Sequence, residues 1–281
     1  MQLYDRLWRK IAPLYDGDEA KAITRLVLEE LFSFTLTDIV CGRVDELQDD
    51  EKERLAVVFT RLEKGEPVQY VLGKAYFGGR AFHVAEGVLI PRPETEVLCS
   101  EIAKEANAME GEKAVLDIGT GSGCIAVTLA LDIENAKVSA WDISRDALAI
   151  ASGNAKELCA EVDFVEQDAL NAPSEDVEMW DVIVSNPPYI CEQEKKDMAV
   201  NVLNYEPSLA LFVPDDDPLR FYTAIATYAT HALKHGGRLY FEINPIYADD
   251  MLRMMAGKGF MNVRIISDQY GKQRFVCGMK R

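Results

Sequence analysis

Apolar and polar positions recur with two different periods along this chain, and the change of period divides it. Over the first seventy residues the apolar positions fall three and four apart, as in Ile23, Leu26, Val27, Leu31 and later Leu55, Val58, Phe59, Leu62. That spacing is the signature of amphipathic helices, so residues 1–72 are read as a small bundle of short helices. From Tyr70 the pattern shifts, and Gly78-Gly79 separates two apolar-aromatic runs. A two-glycine turn of this kind predicts a hairpin, here a linker over 73–93 with Phe77 and Phe82 as its core. Pro91 and Pro93 hold the chain extended before a helix that Glu94, Thr95 and Glu96 open at its positive end.

From Lys113 onward strand-like and helix-like stretches alternate. The strands "KAVLDIG", "KVSAWD", "VDFVEQD", "WDVIVSN" and "RLYFEI" are separated by helices from about Ser122, from about Asp146, near 218–234 and, after the last strand, near 246–257. Alternation of this kind predicts an α/β domain over 94–281, a mostly parallel sheet with helices on both faces. "NVRIISD" and "RFVCGM" follow with only a short turn between them, so an antiparallel pair is expected at the end.

Composition narrows the class. With 281 residues, 48% hydrophobic and 27% charged, the chain has the make-up of a globular protein with a sizeable core. No apolar run reaches the eighteen or so residues of a membrane span, and residues 1–30 lack the apolar core of a signal peptide. Lys+Arg 30 against Asp+Glu 47 leaves a net charge of −17, and residues 81–281 carry most of the acidic excess. A phosphate backbone is bound mainly through Lys and Arg, so direct nucleic-acid binding is not expected. Six widely spaced cysteines without a C-x-x-C pair read as reduced, buried thiols of a cytosolic protein.

Two clusters could carry chemistry. In "VLDIGTGSGC" an apolar strand runs into Asp117 and then Gly119-Thr120-Gly121-Ser122-Gly123 at the start of a helix. Glycines there let a ligand approach the backbone, and the helix start offers free N–H donors. The spacing is G-x-G-x-G with Cys124 next, not the G-x-G-x-x-G of a dinucleotide site, which favours a nucleoside-like ligand over a pyrophosphate. Asp142 ends the second strand, where a carboxylate can accept both hydroxyls of a ribose. Asp168 is expected to end the third, where it could meet the exocyclic amine of an adenine.

The second cluster is Asn186-Pro187-Pro188-Tyr189 after "WDVIVS". Two prolines remove two N–H donors and stiffen the backbone, freeing the Pro187 carbonyl to face a cleft. That carbonyl and the Asn186 carboxamide oxygen could accept both hydrogens of a planar NH2 group while the Tyr189 ring packs on its face. His231 and His235 could share a helical face, but H-E-x-x-H is missing and no metal is expected; capping of a helix that stops at Gly236-Gly237 is the simpler reading. The run Asp215–Asp217 before Pro218 reads as a solvated helix start.

These motifs resemble the class I S-adenosylmethionine-dependent methyltransferases, and N-P-P-Y resembles the branch that methylates conjugated amino nitrogens. With "GEPVQYVLGKAYFGGRAFHVAEGVLIPRPETE", "SNPPYI", "EPSLAL" and "DQYGKQRFV", the chain closely resembles the protein-(glutamine) N-methyltransferases of peptide chain release factors, the PrmC/HemK family. The resemblance covers nearly the whole chain and is weakest over residues 1–60. It implies a Rossmann-like fold and methyl transfer from S-adenosylmethionine to the glutamine of a Gly-Gly-Gln loop, leaving S-adenosylhomocysteine. Asn186, Pro187 and Tyr189 would be catalytic, and Pro188 and Arg92 would contact substrate. Asp117, the glycine loop, Asp142, Asp168, Ala169 and Asn186 would line the cofactor site.

For Arg92 a linker salt bridge is the competing reading. The N-terminal helices would dock the partner, and a cytoplasmic monomer is expected. The chain departs from the family pattern at Ile243-Asn244-Pro245 after Glu242, and at Ala169, where a bulkier residue is common. A glutamine methyltransferase of a ribosomal protein and an adenine N-methyltransferase share N-P-P-Y and remain alternatives.

Overall fold

A computed structural model describes residues 2–281, and the chain divides into two compact units. The first comprises Met1–Lys74 with Ala199–Tyr205. Its helices are α1 (Leu3–Ile11), α2 (Gly17–Phe32), α3 (Leu36–Val40), α4 (Asp49–Leu62) and α5 (Val68–Leu72). Asp16 caps α2 through the Asp18 and Glu19 N–H groups, and Thr35 with Asp38 forms a capping box on α3. Val27, Leu28, Leu55, Phe59 and Leu62 meet in one buried cluster, as their spacing requires.

The second unit comprises Ala75–Met198 and Glu206–Arg281. The hairpin strands β1 (Lys74–Phe77) and β2 (Arg80–His83) turn at Gly78 and Gly79, both with positive φ as a primed turn demands. The hairpin is packed into this unit. Phe77 and Phe82 are fully buried, edge against face, and Asn154 bonds both the N–H and the carbonyl of His83.

The chain continues through α6 (Pro93–Asn107), β3 (Lys113–Ile118), α7 (Cys124–Asp132), β4 (Ala136–Asp142), α8 (Arg145–Glu157), β5 (Val162–Glu166) and β6 (Trp180–Ser185). After a two-residue strand β7 (Ile190–Cys191) come α9 (Val200–Tyr205) of the first unit, α10 (Ser208–Leu211) and β8 (Phe212–Val213), which pairs with β7. The remainder is α11 (Arg220–Ala232), β9 (Leu233–Glu242), α12 (Ala248–Gly257), β10 (Met261–Ser267) and β11 (Gln273–Met279).

Seven strands form one sheet in the order β10-β11-β9-β6-β3-β4-β5, parallel except where β11 pairs antiparallel with β9 and β10. Alternate residues face opposite sides: Val115, Val182, Val184 and Tyr240 join the cluster beneath α6, α7 and α8, while Leu116, Ile183, Leu239 and Phe241 join that beneath α11 and α12. The chain order reverses between β3 and β6, which makes their carboxyl ends the switch point where ligands of such sheets bind.

Three expectations are corrected here. The helix ahead of Gly236-Gly237 stops at Ala232, and both glycines lie inside β9, which shifts register against β6 between Trp180 and Val182. A side chain at Gly237 would meet the Lys234, Trp180 and Asp181 carbonyls at 2.9–3.2 Å, so strand pairing fixes glycine there. Second, β5 ends at Glu166, two residues before Asp168. Third, all six cysteines are free, but only Cys99, Cys124, Cys191 and Cys277 are buried; Cys41 and Cys159 are exposed. No helix among the described residues is long and apolar enough to cross a membrane.

Candidate active site

The glycine loop joins β3 to α7. Gly119, Gly121 and Gly123 all have φ between +55° and +80°, a region that L side chains enter only under strain. Their surroundings differ. A Cβ on Gly119 or Gly121 would meet nothing within 4 Å, whereas one on Gly123 would sit 2.9 Å from the Ala151 Cβ of α8. Two glycines therefore face open space and the third lets α8 approach. The Gly119 and Thr120 N–H groups donate to the Trp141 carbonyl at 2.8 and 2.9 Å. Ser122 is buried, and its carbonyl accepts from Asn154.

Asp117 is fully buried at the base of the loop. Its Oδ2 accepts from the Thr120 hydroxyl at 2.7 Å, while Oδ1 has no hydrogen-bond partner in the protein. Burial pushes this carboxyl up to about 7, against the pull of the Thr120 hydroxyl and the Ala126 backbone. Asp142 stands at the end of β4 and accepts from Gly121 N on one oxygen and Ser144 N on the other, each at 2.9 Å. It thus ties the loop to the cap of α8. Asp168 caps the turn Ala169–Asn171, accepting from Leu170 N and the Asn171 carboxamide. A carboxylate oxygen has two acceptor sites, so Asp142 and Asp168 both keep capacity for a ligand.

Asn186 follows directly on β6. Ile118 and Ser185 are register partners, and the Ser185 hydroxyl donates to the Ile118 carbonyl at 2.6 Å. The glycine loop and the N-P-P-Y segment thus leave the sheet side by side. Among the described residues neither the Asn186 carboxamide nor the Pro187 carbonyl has a protein partner. Tyr189 is partly buried, and its phenol donates to Glu242 Oε1 at 3.3 Å; its carbonyl accepts from Asn244 at 3.4 Å. Burial and the Glu242 charge push the phenol far up.

Arg92, at the foot of α6, is held by Glu206: Nη2 lies 2.6 Å from Oε1, and Oε2 of the same carboxylate accepts from Ile90 N at 3.2 Å. The linker ion pair is therefore present. Glu206 opens "EPSLAL", so two motifs distant in sequence meet at one buried carboxylate. His231 and His235 do not converge: His231 is in α11 with its ring 3.5 Å from the Pro173 carbonyl, and His235, in β9, faces Glu178.

Sequence reasoning missed Asn154, Glu206, Glu242 and the hydroxyl role of Thr95. Glu206 opens the quoted "EPSLAL", Thr95 lies in "PRPETE" and Glu242 is a carboxylate at the end of the otherwise apolar strand "RLYFEI", so only Asn154 left no signal.

Two family models match the chain: the PrmC N-terminal domain over residues 14–73 and the methyltransferase small domain over residues 93–207. A release factor glutamine methyltransferase of Bacteroides thetaiotaomicron is 47% identical over 268 residues, covering 95% of each chain. Those of Streptococcus pneumoniae and Bacillus subtilis are each 38% identical, over 92% and 94% of this chain and 91% and 92% of theirs. Among solved structures, the T. thermophilus 16S rRNA N2 G1207 methyltransferase in complex with AdoMet and guanosine aligns with a TM-score of 0.53 at 18% identity, over 74% of this chain and 50% of that one. That likeness shows the fold. With the N-terminal and catalytic family models both matched and relatives aligned nearly end to end, this chain belongs to the release factor glutamine methyltransferase family.

Proposed function

We propose that this protein transfers a methyl group from S-adenosylmethionine to the side-chain amide nitrogen of the glutamine in the Gly-Gly-Gln motif of peptide chain release factors. The observation that carries this reading is the unpartnered pair of acceptors, the Asn186 carboxamide oxygen and the Pro187 carbonyl, beside the open face of the glycine loop.

The residues fit the cofactor. Gly119 and Gly121 leave open space, Asp117 keeps a buried oxygen without a partner, and Asp142 and Asp168 offer acceptors at neighbouring strand ends. In this assignment Asp142 takes the ribose hydroxyls and Asp168 the adenine amine, with Thr120, Ser122 and Ala169 lining the same site. When bound, S-adenosylmethionine supplies an electrophilic methyl.

An amide nitrogen is a poor nucleophile because its lone pair is delocalised into the carbonyl. Asn186 and Pro187 would accept its two hydrogens, fix the NH2 plane and stabilise positive charge as the lone pair bonds to the methyl carbon and the carbon–sulfur bond breaks; one of the two protons then leaves the nitrogen, giving the neutral N-methyl amide and S-adenosylhomocysteine. Both acceptors are neutral, so geometry and electrostatics carry most of the rate. Tyr189 packs on the amide face and Pro188 stiffens the claw. Arg92 takes part through the Glu206 pair that holds the foot of α6. The helical first unit, which has its own core, docks the partner factor, and the enzyme acts as a cytoplasmic monomer without direct nucleic-acid contact.

The test is transfer of labelled methyl to a purified bacterial release factor, beside the factor with its glutamine replaced by alanine and beside adenine-containing duplex DNA. Label on the unaltered factor alone is expected. Label on DNA, or on both factor variants, would overturn the substrate assignment. Asn186→Ala is expected to lose nearly all turnover while cofactor affinity stays within a few-fold; equal loss of both would remove Asn186 from its role.

A further inference from the structure

Glu242 is the last residue of β9. Its neighbour Phe241 is the register partner of Ser185, so Glu242 stands level with Asn186 across the parallel pair. The residue is 2% exposed, yet it carries a carboxylate. Oε2 accepts from the Thr95 hydroxyl in the first turn of α6 at 2.6 Å, and Oε1 accepts from the Tyr189 phenol at 3.3 Å. The backbone is fixed as well: the Glu242 carbonyl accepts from the buried Tyr222 phenol at 2.9 Å, and Ile243 N donates to the Arg274 carbonyl at 2.8 Å.

Two hydroxyl donors are thin support for a buried charge. Among the described residues no cation forms an ion pair with it: burial pushes the carboxyl above its ordinary value, the Thr95 and Tyr189 hydroxyls and then the Arg274 charge pull it back, and Arg274 is itself bonded to Asp268 at 3.2 Å and lies 3.9 Å from Glu94. A carboxylate in such a place adds little stability compared with a neutral isostere, because its desolvation offsets the bonds it makes. What it does provide is direction. An ionised carboxylate can only accept, so it turns the hydrogens of both hydroxyls toward itself and fixes the phenol of the N-P-P-Y turn against the start of α6.

We propose that Glu242 is a positioning residue for methyl transfer, an acceptor-only carboxylate that holds Tyr189 in place by bridging its phenol to the Thr95 hydroxyl. The proposal rests on the reading above in which Tyr189 packs on the acceptor amide. Through the bridge, Glu242 sets the ring that orients the amide and keeps a negative charge behind the place where positive charge grows.

Glu242→Gln keeps the shape but replaces one acceptor oxygen by a donor, so one hydroxyl must turn its hydrogen away and accept instead. The turnover of Glu242→Gln, Tyr189→Phe and their double variant on a purified release factor, with the factor KM, cofactor affinity by calorimetry and the melting temperature, tests the idea. Glu242→Gln is expected to lower kcat by about tenfold to a hundredfold. The factor KM and cofactor affinity should stay within about threefold, and the melting temperature should hold or rise. The double variant should be no slower than the slower single one, because both act through one contact.

Thr95→Val should be slow and Thr95→Ser near wild type, which reads the same bridge from its other end. An unchanged kcat in Glu242→Gln or in Thr95→Val, a fall of kcat together with cofactor affinity and melting temperature, or multiplying effects in the double variant would overturn the proposal. Transfer by the wild-type enzyme with Glu242→Gln at the wild-type rate would overturn this proposal alone; no transfer by the wild type to any factor would overturn the substrate reading and this proposal with it.

Discussion

Asp117 sits at 0% exposure with one oxygen bonded to Thr120 and the other without a partner, and burial raises it from an ordinary 3.8 to about 7. The sign of the consequence follows from linkage. Between about pH 4 and 7 the folded state holds a proton on this group that the unfolded state has released, so the contribution of Asp117 to stability declines as pH rises across that window and stays unfavourable above it. Asp117→Asn removes the titration. The melting temperature of the variant relative to wild type should therefore climb from pH 4 to pH 8, followed by calorimetry in matched buffers; a difference that does not change with pH would contradict the assignment. The acid itself is plain in "VLDIGTGSG", but its unpartnered oxygen is not, because that depends on which donors the fold leaves out of reach. Arg92 makes the same point. Sequence left a substrate contact and a linker ion pair open, and only folding brings Glu206, 114 residues away, to its guanidinium.

The glycines mark the loop that joins β3 to α7, yet the three have different surroundings. Gly123 has a φ of +80° and would press a Cβ to 2.9 Å from Ala151, while Gly119 has a φ of +78° and faces open space. Alanine at either position meets the left-handed penalty of about 1–2 kcal/mol, but only at 123 is a clash with α8 added. Gly123→Ala should therefore lower the denaturation midpoint clearly more than Gly119→Ala, and Gly119→Ala should cost relatively more cofactor affinity. Equal midpoints in urea melts would refute this division. The segment Leu233–Gly237 shows where local reading fails. Glycines after a helical pattern read as a helix stop, but pairing with β6 draws these residues into β9, and tertiary pairing outweighs local propensity.

At the scale of the molecule the net charge of −17 bears on the partner. Long-range attraction between an acidic enzyme and a basic face of a release factor would speed encounter and weaken as salt screens it. Raising salt from about 0.05 M to about 0.3 M shortens the screening length from roughly 14 Å to roughly 6 Å. The KM for the factor should then rise several-fold while cofactor affinity, set by close contacts, stays nearly constant. A factor KM insensitive to salt would exclude steering by charge.

Period, punctuation and short motifs are local, and they were enough to determine the helical N-terminal segment, the alternating α/β pattern, the hairpin turn at Gly78-Gly79 and the paired signals of the glycine loop and N-P-P-Y. They work because propensity, turn chemistry and binary pattern act over a few residues. Adjacency is different. That β3 and β6 lie side by side, that Glu242 comes level with Asn186, and that Thr95 reaches it across 147 residues of sequence were decided only by strand order and register. A strand's sequence records which of its faces is buried but not which strand it will lie beside, so the groups that surround the claw belong to the tertiary structure alone.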